Sequence, residues 1–553
     1  MCVSYSSKLK IMDETVVAMD RISELPTFII HHIMSYLSAK EVARTSVLSK
    51  KWNQLYVSFP ILDFDQNYFF PGASRLDYGS FCVRKQNYSF SETVKKFMDF
   101  VDASLVRFCK LKFCIQKFRL FLTFLDVKGS APIVDRWIRL AVENGVREID
   151  FENITDENTV YTLPQAIFSA NSVTNLRLVW CRLEQPFDSI MLCSLKKLTL
   201  ERVCLDEQMV QKLATECPLL EDLCFSNCWG LKHLCVSKAS KLKIMEIRSF
   251  SEEIEIVEIS VPSLQELTLL FYGARRPRVV EVARSPHLKK LDLVSVYFAD
   301  NEFNHLISKF PSLEDLFVTR CCLPGKIKIS SNQLKNLLFR SCKYLKAIDV
   351  DAPNLLLFTY EFNPIPIISI NVPCPWKVSF VCKGVLNTHW YLKLKKFLGV
   401  SKQIESLKLS LYSSKVLYNL DELSECSPSL PLQVENLELH TNVPLSDYET
   451  LLDCVFWICH PRTLRVNVMF EEDHKFITWL SDQLWIRGVN CCNSHPIKCW
   501  RHYLNDLKTE NFLLVNDQIF LDVDNLMDGW TTRTRGVSEF HLDWCVPVLD
   551  GKS

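Results

Sequence analysis

Apolar and polar positions alternate in a six-residue pattern, L-x-x-L-x-L, that returns along the chain at nearly constant spacing. Copies begin at residues 173 (VTNLRL), 195 (LKKLTL), 220 (LEDLCF), 242 (LKIMEI), 264 (LQELTL), 288 (LKKLDL), 313 (LEDLFV), 334 (LKNLLF) and 355 (LLLFTY). Degenerate copies start at 146, 404 and 434, so the array runs over residues 146–470. Within a copy, residues two apart such as Leu198 and Leu200 fall on one face of a short strand, while Lys197, Thr199 and Glu201 fall on the other. A single strand of this kind cannot bury its apolar face. Stacking each copy beside the next in a parallel sheet does, which predicts an α/β solenoid with parallel β-strands on its concave face.

The segments that return the chain from one strand to the next differ in kind. DEQMVQKLATECP and NEFNHLISKFP carry apolar residues at helical spacing (Met209, Leu213; Phe303, Leu306, Phe310) and stop at Pro218 and Pro311. LKHLCV, from residue 231, sits midway between two anchors and leaves room only for an extended return.

Ahead of the array the pattern changes to short helices. Pro26 suits a first helical turn, and Ile29, Ile33 and Leu37 follow on one face. Ser38 and Glu41 have the spacing of a capping box that starts a second helix. Leu48, Trp52, Leu55 and Tyr56 mark a third. Three short helices in about forty residues make a marginal core unless a partner covers part of it, so this head reads as a docking module.

Composition narrows the function. Lys plus Arg and Asp plus Glu number 64 each, so no global basic surface draws the chain to nucleic acid or anionic lipid. The first residues lack the apolar stretch of a secretory signal, and no run has the length of a membrane span. The expectation is a cytoplasmic or nuclear protein with no nucleic-acid or membrane partner, whose 23 cysteines are thiols rather than disulfides.

Four cysteines and a histidine crowd into CPLLEDLCFSNCWGLKHLC, residues 217–235. The copy ECPLLEDLCFSNC aligns with KFPSLEDLFVTRC at 309–321, which puts Phe310 and Phe317 where Cys217 and Cys224 stand. Those two cysteines therefore read as apolar filler. Cys228 shares its slot with Cys181, Cys321, Cys342 and Asn363, where an inward side chain can satisfy backbone groups as the chain leaves the strand. The segment reads as a packing ladder, and no metal or cofactor is predicted. VNCCNSHPIKCWRHYL at 489–504 gathers Cys491, Cys492, Cys499, His495 and His502 and is read as part of a C-terminal cap.

Leu25-Pro26, the I-x-x-H-I-M-S-Y-L helix and V-L-S-K-K-W at 47–52 resemble the F-box motif. Together with the repeats, the chain is similar to the plant F-box and leucine-rich-repeat family. The organisation expected is a disordered extension (1–19), an F-box (20–60), a connecting segment and N-terminal cap (61–145), leucine-rich repeats (146–470) and a C-terminal cap (471–553). The resemblance implies a non-catalytic adaptor that binds the SKP-type linker of an SCF cullin-RING ubiquitin ligase and holds a target protein on its repeats. It implies linker contacts at Leu25, Pro26, Ile29, Ile33, Leu37, Val42, Leu48 and Trp52. A small-ligand-dependent receptor on the same scaffold, and a scaffold outside the ligase, are the competing readings.

The outward positions of the strands are the expected target surface: Arg177, Lys197, Glu201, Asp222, Asp292, Asp315, Phe317 and Arg340, of mixed sign. Arg275, Arg276 and Arg278 form a basic loop that reads mainly as a solvated surface. Neither a Gly-rich phosphate loop nor an H-E-x-x-H zinc helix occurs in the sequence.

Overall fold

The computed structural model describes residues 22–69, 88–123, 127–154, 160–183, 190–250, 253–273, 276–299, 301–361, 364–372, 375–401, 404–413, 416–417, 430–468, 471–486, 499–515, 518–521 and 535–545. The expected extension at 1–19, and Arg275, Asn363, Cys491, Cys492 and His495, lie outside the described residues. The chain forms two compact units, Met1–Leu195 and Lys196–Ser553.

In the first unit, helices α1 (Thr27–Met34), α2 (Ala39–Thr45) and α3 (Lys50–Val57) make the head. Ser38 Oγ accepts the Glu41 N–H, and Glu41 returns the bond to the Ser38 N–H at 2.8 Å, closing the expected capping box. Ser49 caps α3 through the Trp52 N–H at 3.2 Å. Ile30, Met34, Val42, Trp52, Leu55 and Phe59 bury together as the core of the module. The apolar stripe that packs inward on α1 is thus Ile30 and Met34, one residue on from Ile29 and Ile33.

Parallel strands follow at once. Ile61–Asp65 pairs with Lys117–Leu122, which pairs with Glu148–Asn153, which pairs with Asn175–Leu183. Residues 61–145, expected as a connecting segment and cap, thus supply two strands to a repeat-like ladder, with the helices Tyr88–Lys110 and Val127–Glu143 as returns.

The second unit repeats the same scheme at closer spacing. Strands Lys197–Cys204, Asp222–Ser226, Ile244–Ser249, Glu266–Phe271, Lys290–Val294, Asp315–Thr319, Asn336–Arg340, Leu357–Glu361 and Trp376–Lys383 pair in parallel, each beside the next. Register places Leu198, Leu223, Met245, Leu267, Leu291, Leu316, Leu337, Phe358 and Val378 in one row, all of them buried. This row is the fourth position of the six-residue pattern. Its burial contributes about 1.5–3 kcal/mol per side chain and is what makes the repeat a structural unit.

The returns divide as the patterns expected. Glu207–Glu216 and Glu302–Ser308 are helices, whereas His233–Ser237 is a strand. It joins Ile256–Ser260 and Val279–Val282 in a small parallel sheet behind the first. Lys326–Ser330, Ala347–Asp351 and Ile367–Asn371 form another. Parallel pairing continues through Ile404–Tyr412, Leu432–Thr441 and Cys459–Val468. There Arg535–Trp544 adds antiparallel, itself paired with Leu504–Val515, so the last parallel strand presents no free edge.

Six of the front strands share one backbone device at or near the end of the strand. Trp180, Arg202, Asn227, Ser295, Arg320 and Ser341 all have φ between 50° and 58°. The next residue (Cys181, Val203, Cys228, Val296, Cys321, Cys342) then turns inward and is buried. Cys228, Cys321 and Cys342 donate their thiols to the carbonyls of Leu200, Leu293 and Val318 at 3.3, 3.4 and 3.3 Å, each on an earlier strand. The ladder therefore satisfies buried carbonyl groups, and burial pushes the Cys228 and Cys342 thiols up to about 12.

Candidate binding surfaces

The head completes a core and still leaves large apolar side chains in water. Phe28 is 71% exposed, Tyr36 78%, Val47 84% and Leu48 66%. Leu25, Pro26, Ile33 and Leu37 are also exposed, and Ile29 is half-buried. Val42 and Trp52, expected to be partly core and partly interface, are in the core of the head, and Trp52 Nε1 donates to Ser23 Oγ at 2.9 Å. Phe28, Tyr36 and Val47 were absent from the sequence-derived set. The signal that finds Phe28 is that α1, TFIIHHIM, is apolar on two faces, more than one small core can bury.

A cavity of about 420 Å³ lies between this head and the first strands. Leu37, Val42, Tyr56, Phe64 and Phe100 line it, with Arg107 and Arg119 on its wall.

Charges on the strand face of the first unit alternate across the register. Asp63, Arg119, Asp150 and Arg177 stand opposite one another in turn. Arg119 Nη1 donates to Asp63 at 2.9 Å, and Arg177 Nη1 donates to Asp150 at 2.8 Å and Glu152 at 3.1 Å. Arg177 is thereby committed to its own sheet.

In the second unit Lys197 pairs with Asp222 at 2.7 Å across the ladder, and Asn336 donates to Asp315 at 2.5 Å. Arg340 pairs with Glu361, while Asp292 and Phe317 face each other directly on adjacent strands. Burial raises the Asp292 carboxyl above its ordinary range, opposed by Lys290 and Arg340. Phe317 and Glu201 are half-buried, so the exposed aromatic expected in mid-array is partly covered. Cys224 lies on this same face beside Glu246 at 3.8 Å, away from the buried Cys228.

Larger apolar groups stand at the strand ends. Phe250 and Tyr272 stack at 4.8 Å and both are exposed, with the Phe250 N–H held by Asn227 Oδ1 at 3.0 Å. In the basic loop Arg276 Nη1 donates to Cys322 Sγ at 2.8 Å, which ties its head group to the protein. Towards the C-terminus, Cys499 Sγ and His502 Nδ1 meet at 3.5 Å.

Comparison with known proteins matches the head and two stretches of the repeats. The F-box domain family matches residues 22–60. Residues 134–286 match the repeats of the family "FBD-associated F-box protein At5g56370, LRR repeats", and residues 270–421 match "At1g61320/AtMIF1, LRR domain". Among individual relatives from Arabidopsis thaliana, the putative F-box/LRR-repeat protein At5g41840 is 30% identical over 259 residues, 45% of this chain and 42% of that protein. The putative F-box/LRR-repeat protein At3g59230 is 33% identical over 42% of this chain and 45% of its own length. The F-box/FBD/LRR-repeat protein At2g26030 is 28% identical over 52% of this chain and 59% of its own length. The chain thus spans about half the length of the relatives it matches. With an F-box head, two matched repeat segments and the strand register that those repeats require, the chain has the domain organisation of the plant F-box/LRR-repeat proteins it is similar to.

Proposed function

We propose that this protein is the substrate-recognition adaptor of an SCF-type cullin-RING ubiquitin ligase, acting in the cytoplasm or nucleus and contributing no chemistry of its own. The head docks on the SKP-type linker through Leu25, Pro26, Ile33, Leu37 and Leu48, joined by Phe28, Tyr36 and Val47. Ile29 supports that surface, while Val42 and Trp52 hold it from within. The strand face and the aromatic groups at its edge hold a target protein for ubiquitination.

One observation carries this reading: a folded module of three short helices keeps its own core and still offers four side chains of the size of Phe, Tyr, Val and Leu mostly to solvent. Burying them against a partner stabilises the complex by roughly 1.5–3 kcal/mol each before association costs. Co-purification tests it. The full chain should bring down linker and cullin, and the double variant Leu25→Lys/Pro26→Lys should lose both while its repeats stay folded. Undiminished linker in that variant contradicts the docking surface.

A ligand-dependent form of the same role has one feature in its favour, the cavity beside Leu37. A small molecule lodged there sits between Leu37 of the head and Arg119 of the strand face. Linker affinity that rises on adding a ligand, and no longer does so in Phe100→Trp, which fills the cavity, supports this form.

A further inference from the structure

The segment 217–235 separates in the structure into two groups with different fates. Cys217, Cys224 and Cys228 go to the core, the strand face and the buried ladder. His233 and Cys235 leave on the next strand, His233–Ser237, at the edge of the small rear sheet. Leu234 and Val236 point inward there, so His233 and Cys235 share the outer face. Register puts Glu258 directly opposite Cys235, on the strand Ile256–Ser260.

The donor atoms of these three residues converge. His233 Nε2 lies 3.2 Å from Glu258 Oε2, and one donor atom from each of His233, Cys235 and Glu258 lies within 4.8 Å of the other two. Nε2 is shielded from solvent and yet has no hydrogen-bond partner among the described residues, although the carboxylate oxygen is so near. Such a contact leaves a buried polar atom unsatisfied, which is unfavourable. A cation between the two atoms removes that cost. For bonds of about 2.0–2.3 Å to a tetrahedral ion, neighbouring donors stand roughly 3.3–3.6 Å apart. The nitrogen–oxygen edge at 3.2 Å is already close to that length, and the sulfur has at most about 1.5 Å to close, within reach of a side-chain torsion.

Two further features favour a cation at this point. Glu258 also faces Glu281 on the next strand, and like charges directly opposite in a ladder repel. The strand that carries two of the donors is pinned from its free edge by the helix Glu207–Glu216. Glu207 Oε1 accepts the His233 N–H at 3.1 Å, Gln211 Nε2 donates to the Cys235 carbonyl at 2.8 Å, and Ser237 Oγ donates to Gln211 Oε1 at 3.3 Å. The donors are therefore fixed by a neighbouring element rather than carried on a loose loop.

We propose that His233, Cys235 and Glu258 form a zinc site on the rear sheet of the repeats. One imidazole nitrogen, one thiolate and one carboxylate suit a borderline-soft ion of tetrahedral preference, and not calcium or magnesium, which take oxygen donors alone. Binding releases the thiol proton to solvent as the sulfur–zinc bond forms, with the imidazole neutral. Three protein donors leave the fourth position to water. The site pins two successive rear strands to each other and replaces the sequence-based expectation that this segment holds no metal.

The test uses the full chain, stripped with chelator and titrated with cobalt(II) and then zinc. One equivalent of cobalt should bind with a thiolate-to-cobalt charge-transfer absorption, and one equivalent of zinc should displace it. Cys235→Ser should abolish that absorption and weaken zinc at least ~100-fold, and Glu258→Gln should weaken zinc ~10-fold or more, with metal-free melting unchanged in the second variant. An unsubstituted chain without the absorption overturns the proposal. So does an absorption that survives Cys235→Ser and disappears in Cys492→Ser, which assigns the metal to the C-terminal cysteines.

Discussion

Arg340 grips the Glu361 carboxylate from the adjacent strand with two N–H groups, Nε to Oε2 at 2.5 Å and Nη2 to Oε1 at 3.0 Å. Fork geometry of this kind holds both side chains in one orientation. Because the guanidinium is partly open to water, its contribution is that of a good surface pair and no more. A double-mutant cycle of Arg340→Ala and Glu361→Ala, read by urea unfolding, should return a coupling of about 1 kcal/mol. A coupling of zero would mean that the fork is not formed in solution.

Arg320 and Ser341 turn the chain out of their strands at φ 53° and 52°, where a side chain costs about 1 kcal/mol relative to glycine. Their N–H groups keep ladder bonds to the carbonyls of Arg340 and Glu361 at 2.7 and 2.9 Å. Arg320→Gly and Ser341→Gly should therefore each raise stability, by roughly 0.5–1 kcal/mol, in contrast to the usual effect of glycine in a repeat. Thermal unfolding of the two variants checks this, and lowered midpoints in both would contradict the left-handed turn.

Glu438 takes its place in a hydrogen-bonded group with His440 at 2.8 Å, Lys408 at 2.9 Å and Asn467 at 2.7 Å. The bond to His440, followed by Lys408, holds its carboxyl down to about 2 against the opposing effect of burial. A carboxyl lowered by folding stabilises fully above its ordinary value near 4.5 and loses that contribution as pH falls toward 2. Stability of the parent chain should decline across this window, and Glu438→Gln should show a shallower decline. Equal slopes in the two proteins would remove Glu438 from the acid response.

How much of this was legible beforehand follows from where each signal lies. The nine clear copies were legible because each places two buried residues two apart, as Leu291 and Leu293 do, at steps of 21 to 25 residues. The strands Ile61–Asp65 and Lys117–Leu122 were not, because a long helix separates them and neither carries the six-residue pattern. In the head, Ile29–Ile33 and Ile30–Met34 are equally good stripes on paper; packing against Trp52 and Leu55 chooses the second. Outward strand positions were readable from alternation, but whether Lys197 meets Asp222, or Arg177 meets Asp150, depends on register with a strand some 25 residues away. The same holds for Glu258, which meets Cys235 only once both strands are paired.

The central claim is that the head is finished as a fold and unfinished as a surface, and calorimetry of the full chain with a purified SKP-type linker tests it most directly. The parent should bind one linker, and Val47→Asp/Leu48→Asp should lose at least ~100-fold in affinity with an unchanged melting temperature, since both residues stand in water in the free protein. Equal affinity in the parent and the double variant would contradict the account.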